Sequence, residues 1–373
     1  MPAMASAYLD ALRAIAANLV VAAHILTMFF GLHDPWSFGA LGITVFFLLS
    51  GFLITQSMLR WAQRPEPRAP GFFADRVARI FTPYAPALVI IALVNLVVID
   101  RPMVDGVNTG PVTFVGNLLL LQDHAIYQFM EIAGIDVPWR IQSYNTAEPF
   151  WTVAVEMWIY VAVGLFFFCL LKGEPIRWSL SLVLAAACIP VIVWNAAAGG
   201  GKSLTLIWLV GAVAGLLFHL WRTHGYLRHR LIGVALIVLG AVALIGRSGK
   251  IGFDPYDLQT ATLIAMIIFG ALAVLIGVAR APALLTRPAV FFASYSYSLY
   301  LMHNTVLIIV LDHAPIADAG LKAATAAVVA HICAFVLYML FERHYRSVGK
   351  WLRPQFERWF APRRSARPEG HRA

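Results

Sequence analysis

The first hydrophobic segment carries Asp10, Arg13, Asn18 and His24 within a stretch otherwise apolar enough to cross a bilayer. An ionisable side chain near the middle of a membrane helix is disfavoured by about 2.5 kcal/mol or more unless partners or water satisfy it, so this density of polar groups points to a reaction site. Asp10 and Arg13, three positions apart, share a helix face and can neutralise each other. Arg13 and His24 are separated by a rise of about 16 Å and only about 20° beyond whole turns, so they face the same way at different depths. A long ligand along this helix would meet a cation at one end and an imidazole at the other. The plainer alternative is two unrelated polar residues in a helical bundle.

Three further groups could join them. Arg76 and Arg79 present two guanidiniums on one face at the start of the third hydrophobic run, and the planar fork of arginine suits phosphate. Taken alone, the pair also suits lipid headgroups. His303 lies about 22 Å into its segment, close to the depth of about 24 Å for His24, and Glu156 lies about 9 Å in from the opposite side. Two imidazoles and a carboxylate at one level make an acid/base centre, the carboxylate orienting a His toward a substrate hydroxyl. Each residue taken singly reads as an interhelical polar contact. Tyr297 and Tyr300 read as packing aromatics, Ser294, Ser296 and Ser298 as donors to backbone carbonyls, and Gly211-x-x-x-Gly215 as a close helix contact. His124, Asp123, His219 and His331 read as structural, and Glu342 as paired to Arg343 or Arg346.

The elements that must hold these groups follow from composition. The 373 residues are 60% hydrophobic and 13% charged, which predicts an all-α polytopic membrane protein. Runs of about 20 apolar residues fall near 8–31, 38–59, 80–99, 150–171, 178–197, 204–221, 229–246, 258–279, 289–311 and 320–341, a bundle of about ten spans. The N-terminus has no basic n-region, so the first span is expected to stay in the protein. Of 28 lysines and arginines, all but Arg13, Arg101, Arg140, Lys202, Arg247, Lys250 and Lys322 fall on one side, which the positive-inside tendency makes cytoplasmic, with both termini there. The net charge of +9 is thereby assigned to topology and anionic lipid, with no nucleic-acid partner. Cys169, Cys188 and Cys333 all lie within spans and indicate neither disulfides nor a metal site.

Residues 1–346 read as one transmembrane domain and 347–373 as a basic tail, amphipathic at first and then disordered. The one long loop, Asp100 to Pro149 on the outer side, contains the run Val112–Leu121, too short to span. Trp139, Tyr144 and Trp151 follow it and suit an interfacial aromatic belt or sugar stacking.

These motifs, in this order, resemble the acyltransferase-3 family of integral membrane acyltransferases over nearly the whole chain. LDALRAIAANLVVAAH is similar to its Arg and following His (Arg13, His24), and GALGITVFFLLSGFLIT to its Gly-rich segment (Gly39, Gly42, Phe46, Phe47, Ser50, Gly51). FFADRVARIFTPY resembles the arginine-x-x-arginine motif (Arg76, Arg79), PFWTVAVEMWIY the Trp and Val-Glu motif (Trp151, Glu156), and ASYSYSLYLMH the Tyr-x-x-His motif (Tyr300, His303). Asp75 stands where a third basic residue is common, no proline ends the fourth span near Gly164, and His344 replaces a common proline.

The resemblance implies a ten-helix fold that takes acyl-CoA, acetyl-CoA above all, from the cytoplasm and acylates a hydroxyl of an outer acceptor, often a glycan of the cell envelope. It also implies an inner-membrane location in a bacterium. His24 would stand nearest the chemistry, with Glu156 or His303 orienting it. Arg13, Arg76, Arg79 and Tyr300 would serve the acyl-CoA, and Trp151, Trp139 and Tyr144 the acceptor. No metal is expected; membrane lipids are partners, and a homodimer stays open. The alternative from the same residues is a proton-coupled transporter with the buried His and Glu side chains as its relay. A non-catalytic partner of a glycan assembly machine comes third.

Overall fold

The computed structural model describes residues 2–65, 68–99, 108–197, 203–223, 225, 228–276, 278 and 282–361. The expected disordered end of the tail, from residue 362, and residues 100–107 of the long loop lie outside them. The described residues form helices and no strand. In order they are α1 (Ala3–Phe30), α2 (Phe38–Ala62), α3 (Ala69–Val97), α4 (Pro111–Leu118), α5 (Ile126–Ile132) and α6 (Phe150–Gly164), which runs on as a π-helix over Leu165–Leu171. Then follow α7 (Trp178–Ala197), α8 (Leu204–Thr223), α9 (His229–Ile251), α10 (Leu258–Leu275), α11 (Ala283–Ser294), α12 (Ser296–His313), α13 (Ala319–Leu340), a 3-10 turn (Glu342–His344) and α14 (Tyr345–Phe360).

Among the described residues nine helical stretches are long and apolar enough to cross a membrane. Their outward faces carry large apolar side chains such as Leu231, Val242 and Ile245 on α9, the surface a lipid solvent requires. The expected span 289–311 is not among the nine: it is two helices that meet at Tyr295, and α12, the longer, carries His303, Asn304, Asp312 and His313 in its 18 residues. The Ser294 and Ser296 hydroxyls bond back to the carbonyls of Phe291 and Ala293, competing with the helix ladder at the junction. The Tyr295 hydroxyl reaches His331 Nδ1 at 3.1 Å, and His331 Nε2 meets Asn18 Oδ1 at 3.1 Å. Asn18 is therefore a strut between α1 and α13.

The helix α2 runs through the middle of the bundle, with Leu48, Leu49 and Phe52 fully buried. It lies against α8 at backbone contact: a Cβ on Gly51 would stand 2.0 Å from the Trp208 carbonyl, and one on Gly211 2.1 Å from that of Leu48. Gly211 and Gly215 are thus the close-packing pair expected from their spacing. At the end of the bundle that carries Arg76 and Arg79, the basic face, α14 packs on α3. Arg353 donates to Asp75 at 2.9 Å and the Phe360 ring stacks on Phe73. Asp75, which stands in place of a basic residue, is neutralised by that arginine.

At the opposite face α4 and α5 close over the ends of the long helices. The Tyr84 hydroxyl donates to the Asn117 carbonyl at 2.8 Å, and Asn117 Nδ2 donates to Gln142 O at 2.8 Å. The run Val112–Leu121 is thereby fixed to α3.

Candidate active site

His24 on α1 and His303 on α12 meet edge to face, ring centroids 5.1 Å apart at 67°. His303 is fully buried, with Nδ1 2.8 Å from the Tyr300 carbonyl and 3.1 Å from that of Leu299. Carbonyls only accept, so Nδ1 carries the proton and Nε2 keeps its lone pair. Nε2 is buried without a hydrogen-bond partner, an expense that structure alone does not justify. The carboxylates near enough to act on His24 are Glu148 and Asp34. Asp34 is committed, accepting from the backbone N–H groups of Phe38 and Gly39 at 2.8 Å each to cap α2. Glu148 is exposed at the entry to α6.

Glu156 does not complete the imidazole pair. It lines the cavity of the basic face together with Arg76 and Arg79. Its side chain faces that cavity and the narrow space at its inner end. Tyr160 donates to Glu156 Oε1 at 2.5 Å, the Ser50 and Tyr160 hydroxyls are 2.8 Å apart, and Trp208 Nε1 donates to Ser50 Oγ at 3.1 Å. An indole N–H can only donate and each hydroxyl has one proton, so the chain runs Trp208 to Ser50 to Tyr160 to Glu156, every donor aimed at the carboxylate. This gives Ser50 a role that its motif alone does not reveal.

The basic-face cavity is about 580 Å³. Arg13, Arg76, Arg79, Arg343 and Arg346 all line it, against the carboxylates Glu156 and Glu342. Arg13 is paired to Asp10 at 2.5 Å, as their spacing predicts. Glu342 is paired neither to Arg343 nor to Arg346: Arg79 holds it at 2.9 Å, and the Ser298 hydroxyl donates to it at 2.6 Å. The correction has a physical cause, since Glu342 is fully buried and a buried carboxylate needs its cation and its hydrogen bonds inside the protein. Ser298 accordingly donates to a side chain and not to a carbonyl.

Between this cavity and the imidazoles the space narrows to about 60 Å³, lined by Phe46, Phe47, Thr152, Glu156, Tyr297 and Tyr300. Phe46, Glu156 and Tyr297 are shared with the larger cavity. The Tyr300 ring stands 5.8 Å from that of His303, while its hydroxyl is 2.6 Å from Thr152 Oγ1 and donates to the Pro149 carbonyl at 3.1 Å. Tyr300 thus offers the site a ring face, its hydroxyl being used to fix the start of α6 against α12. Asn304 Nδ2, donating to Thr146 O at 2.8 Å, does the same one turn on.

A second large cavity, about 530 Å³, opens at the opposite face. Trp151, Trp158, Trp194, Glu148, Arg140 and Asp123 are among its walls. Of the three aromatics expected to meet an acceptor, Trp151 is there. Tyr144 is buried beneath, its hydroxyl donating to Thr109 O at 3.0 Å, and Trp139 stands out to the exterior against the Tyr127 ring. Glu148 and Trp194 had no signal beyond lying near the open ends of spans, and Trp158, inside α6, had none beyond its apolar ring. His124 also lines this cavity; burial holds its imidazole below the usual histidine range, opposed by the bond to the Ala187 carbonyl. Among the described residues no three His, Cys, Asp or Glu side chains gather as a metal ion would require.

Two cavities on opposite faces, one basic and one amphipathic, therefore flank an imidazole pair of which His303 is buried and His24 half-buried. No curated protein and no solved structure matches the chain. The family model described as an acyltransferase domain matches residues 6–342, from the first turns of α1 to Glu342 itself. With nearly all of the membrane bundle inside that match, the protein belongs to the acyltransferase-3 family and is a membrane acyltransferase.

Proposed function

We propose that the protein moves an acyl group, acetyl first among candidates, from acyl-CoA at its basic face to a hydroxyl of an acceptor at the opposite face. The basic face is then cytoplasmic, the membrane is the inner membrane of a bacterium, and the acceptor is an envelope or exported glycan. The observation that carries this is the convergence of five arginines on one cavity whose narrow end reaches the aromatic ring beside His303. Phosphates of the donor meet Arg76 and Arg79, the pantetheine arm passes Arg13 and Glu156, and the thioester lies beside the imidazole pair. Glu156, with its donors already aligned, accepts from an amide N–H of the arm.

His24 removes the proton of the acceptor hydroxyl as its oxygen attacks the thioester carbonyl, the C–S bond breaks, and the thiolate leaves to take up a proton. His303 offers its unpartnered Nε2 to the same centre. The three tryptophans and the polar groups around them suit a sugar ring, which has apolar faces and a polar rim.

The test is thermal unfolding of the purified protein in detergent with and without acetyl-CoA, beside the Arg76→Ala/Arg79→Ala variant. A ligand that binds only the folded state raises its apparent stability. A shift in the wild type that the double variant loses supports the donor site; no shift at millimolar ligand in folded protein overturns it, and solute flux without acyl-CoA would support a transporter instead.

A further inference from the structure

The wall of the basic cavity opposite α3 is built by the turn after α13 and the start of α14. It supplies Arg343, Tyr345 and Arg346. The Tyr345 ring lies between two guanidiniums, Arg79 Cζ 4.8 Å and Arg346 Cζ 5.7 Å from its centroid, and Arg346 Nε donates to its hydroxyl at 3.1 Å. Arg343 donates to His344 Nε2 at 3.0 Å and toward the Met339 sulfur. Arg343 and Arg346 thus contact the neutral groups His344, Met339 and Tyr345, whereas Arg13 and Arg79 already have carboxylates. Deeper in, Arg76 Nε is buried without a partner.

This wall is held in place. Gly349 comes so close to Asp75 that a Cβ there would stand 3.2 Å from its carboxylate oxygen, and Arg353 clamps the same carboxylate. The arginines of α3 and those of the turn are consequently two groups at a fixed separation, with Tyr345 between them.

Coenzyme A likewise carries phosphate in two places, a diphosphate and a 3′-monoester on its ribose. Its diphosphate carries about one negative charge per phosphorus, and the monoester on its ribose adds about −1.5 to −2 at neutral pH. Arg76 and Arg79, one of them already sharing its charge with Glu342, fall short of balancing both groups. We propose that Arg343 and Arg346 form a second phosphate subsite that reads the ribose 3′-phosphate, so that the protein discriminates 3′-phosphorylated from dephosphorylated coenzyme A. This rests on the donor cavity proposed above. A lipid headgroup would bring the same phosphate chemistry to the same two arginines.

The test is calorimetric titration of the full-length protein with coenzyme A and with dephospho-coenzyme A, in nanodiscs of phosphatidylcholine alone and with phosphatidylglycerol added. The wild type is expected to bind coenzyme A about tenfold more tightly than the dephospho form, since two charge-assisted bonds are at stake. Arg343→Ala/Arg346→Ala should bind both at the weaker level. Both side chains are exposed, so the fold survives, and the lysine pair should recover part of the preference through charge without the bidentate fork. Equal binding of the two ligands by the wild type, or a preference unchanged in the alanine variant, overturns the subsite while leaving the donor cavity intact. A preference abolished when phosphatidylglycerol is added assigns the arginines to the lipid headgroup and also overturns it. Failure of both ligands to bind removes the donor cavity itself, an outcome distinct from loss of discrimination.

Discussion

The imidazoles of His24 and His303 stand edge to face with centroids 5.1 Å apart, although the residues belong to the first helix and to the twelfth. His303 is locked by two backbone carbonyls, whereas His24 is half-buried and has no such anchor among the described residues. The fixed ring and the accessible one have different tasks. His24→Ala should lower acyl transfer about 10²–10⁴-fold, the range of a lost general base, with the unfolding temperature unchanged. Labelled acetyl transfer in proteoliposomes measures this; an active variant would remove His24 from the chemistry.

Glu148 is exposed and lines the cavity at the face away from the arginines. Glu148→Gln should leave stability untouched and reduce turnover about tenfold, equal to about 1.4 kcal/mol of transition-state stabilisation. Donor affinity, read by titration with acetyl-CoA, should stay as it was. A weakened donor with normal turnover would place Glu148 elsewhere in the reaction.

The buried pair Arg79 and Glu342 joins α3 to the turn ahead of α14. Removing one partner strands the other, and such losses run to about 3–5 kcal/mol. Glu342→Gln should therefore lower the unfolding temperature sharply even without ligand, and Arg343→Ala, on the exposed neighbour, should not. Equal effects of the two would show that Glu342 is no more than a surface acid.

His124 should make the fold acid-sensitive. Its Nδ1 accepts from the Ile126 N–H at 3.2 Å, so Nε2 carries the proton shared with the Ala187 carbonyl, and the folded state holds a neutral ring. Burial depresses its folded pKa, so below the unfolded value near 6.5 the unfolded chain binds more protons and stability falls as pH falls. Unfolding temperature between pH 7.5 and 5 should decline less steeply in His124→Gln. Parallel curves would contradict the assignment.

Gly51→Leu should prevent assembly of the bundle, because even a Cβ at this position would stand 2.0 Å from the Trp208 carbonyl of α8. Overpacking commonly costs about 1–3 kcal/mol, and here the obstacle is backbone. The yield of monodisperse protein in detergent is the measurement, with Gly246→Leu, which has open space around it, as the contrast.

Much of this was legible in the residues. The apolar runs mark the helices, the three-residue spacing marks the Asp10–Arg13 pair, and equal depth along two helices brings His24 to His303. Depth alone does not give azimuth, so Glu156 was expected beside the imidazoles when its side chain turns to the arginines. Partners far apart in sequence were equally hidden: Glu342 was matched to its neighbours, but its burial makes it seek Arg79. The interruption at Tyr295 lay in a serine-rich run whose hydroxyls could equally have served an unbroken helix. Tyr144 and Trp139 have the right type for sugar binding and the wrong surroundings, one under the loop and one outside it.

The narrow space at the inner end of the basic cavity bears on the electrical life of the membrane. Phe46, Phe47, Tyr297 and Tyr300 fill the middle of the bundle, so in the proposed reaction neither the charged donor nor the sugar has to cross. Only a small neutral fragment passes, handed from sulfur to oxygen at the septum. Such an enzyme can turn over continuously in an energised membrane without leaking ions, its two substrates meeting through a wall that stays shut.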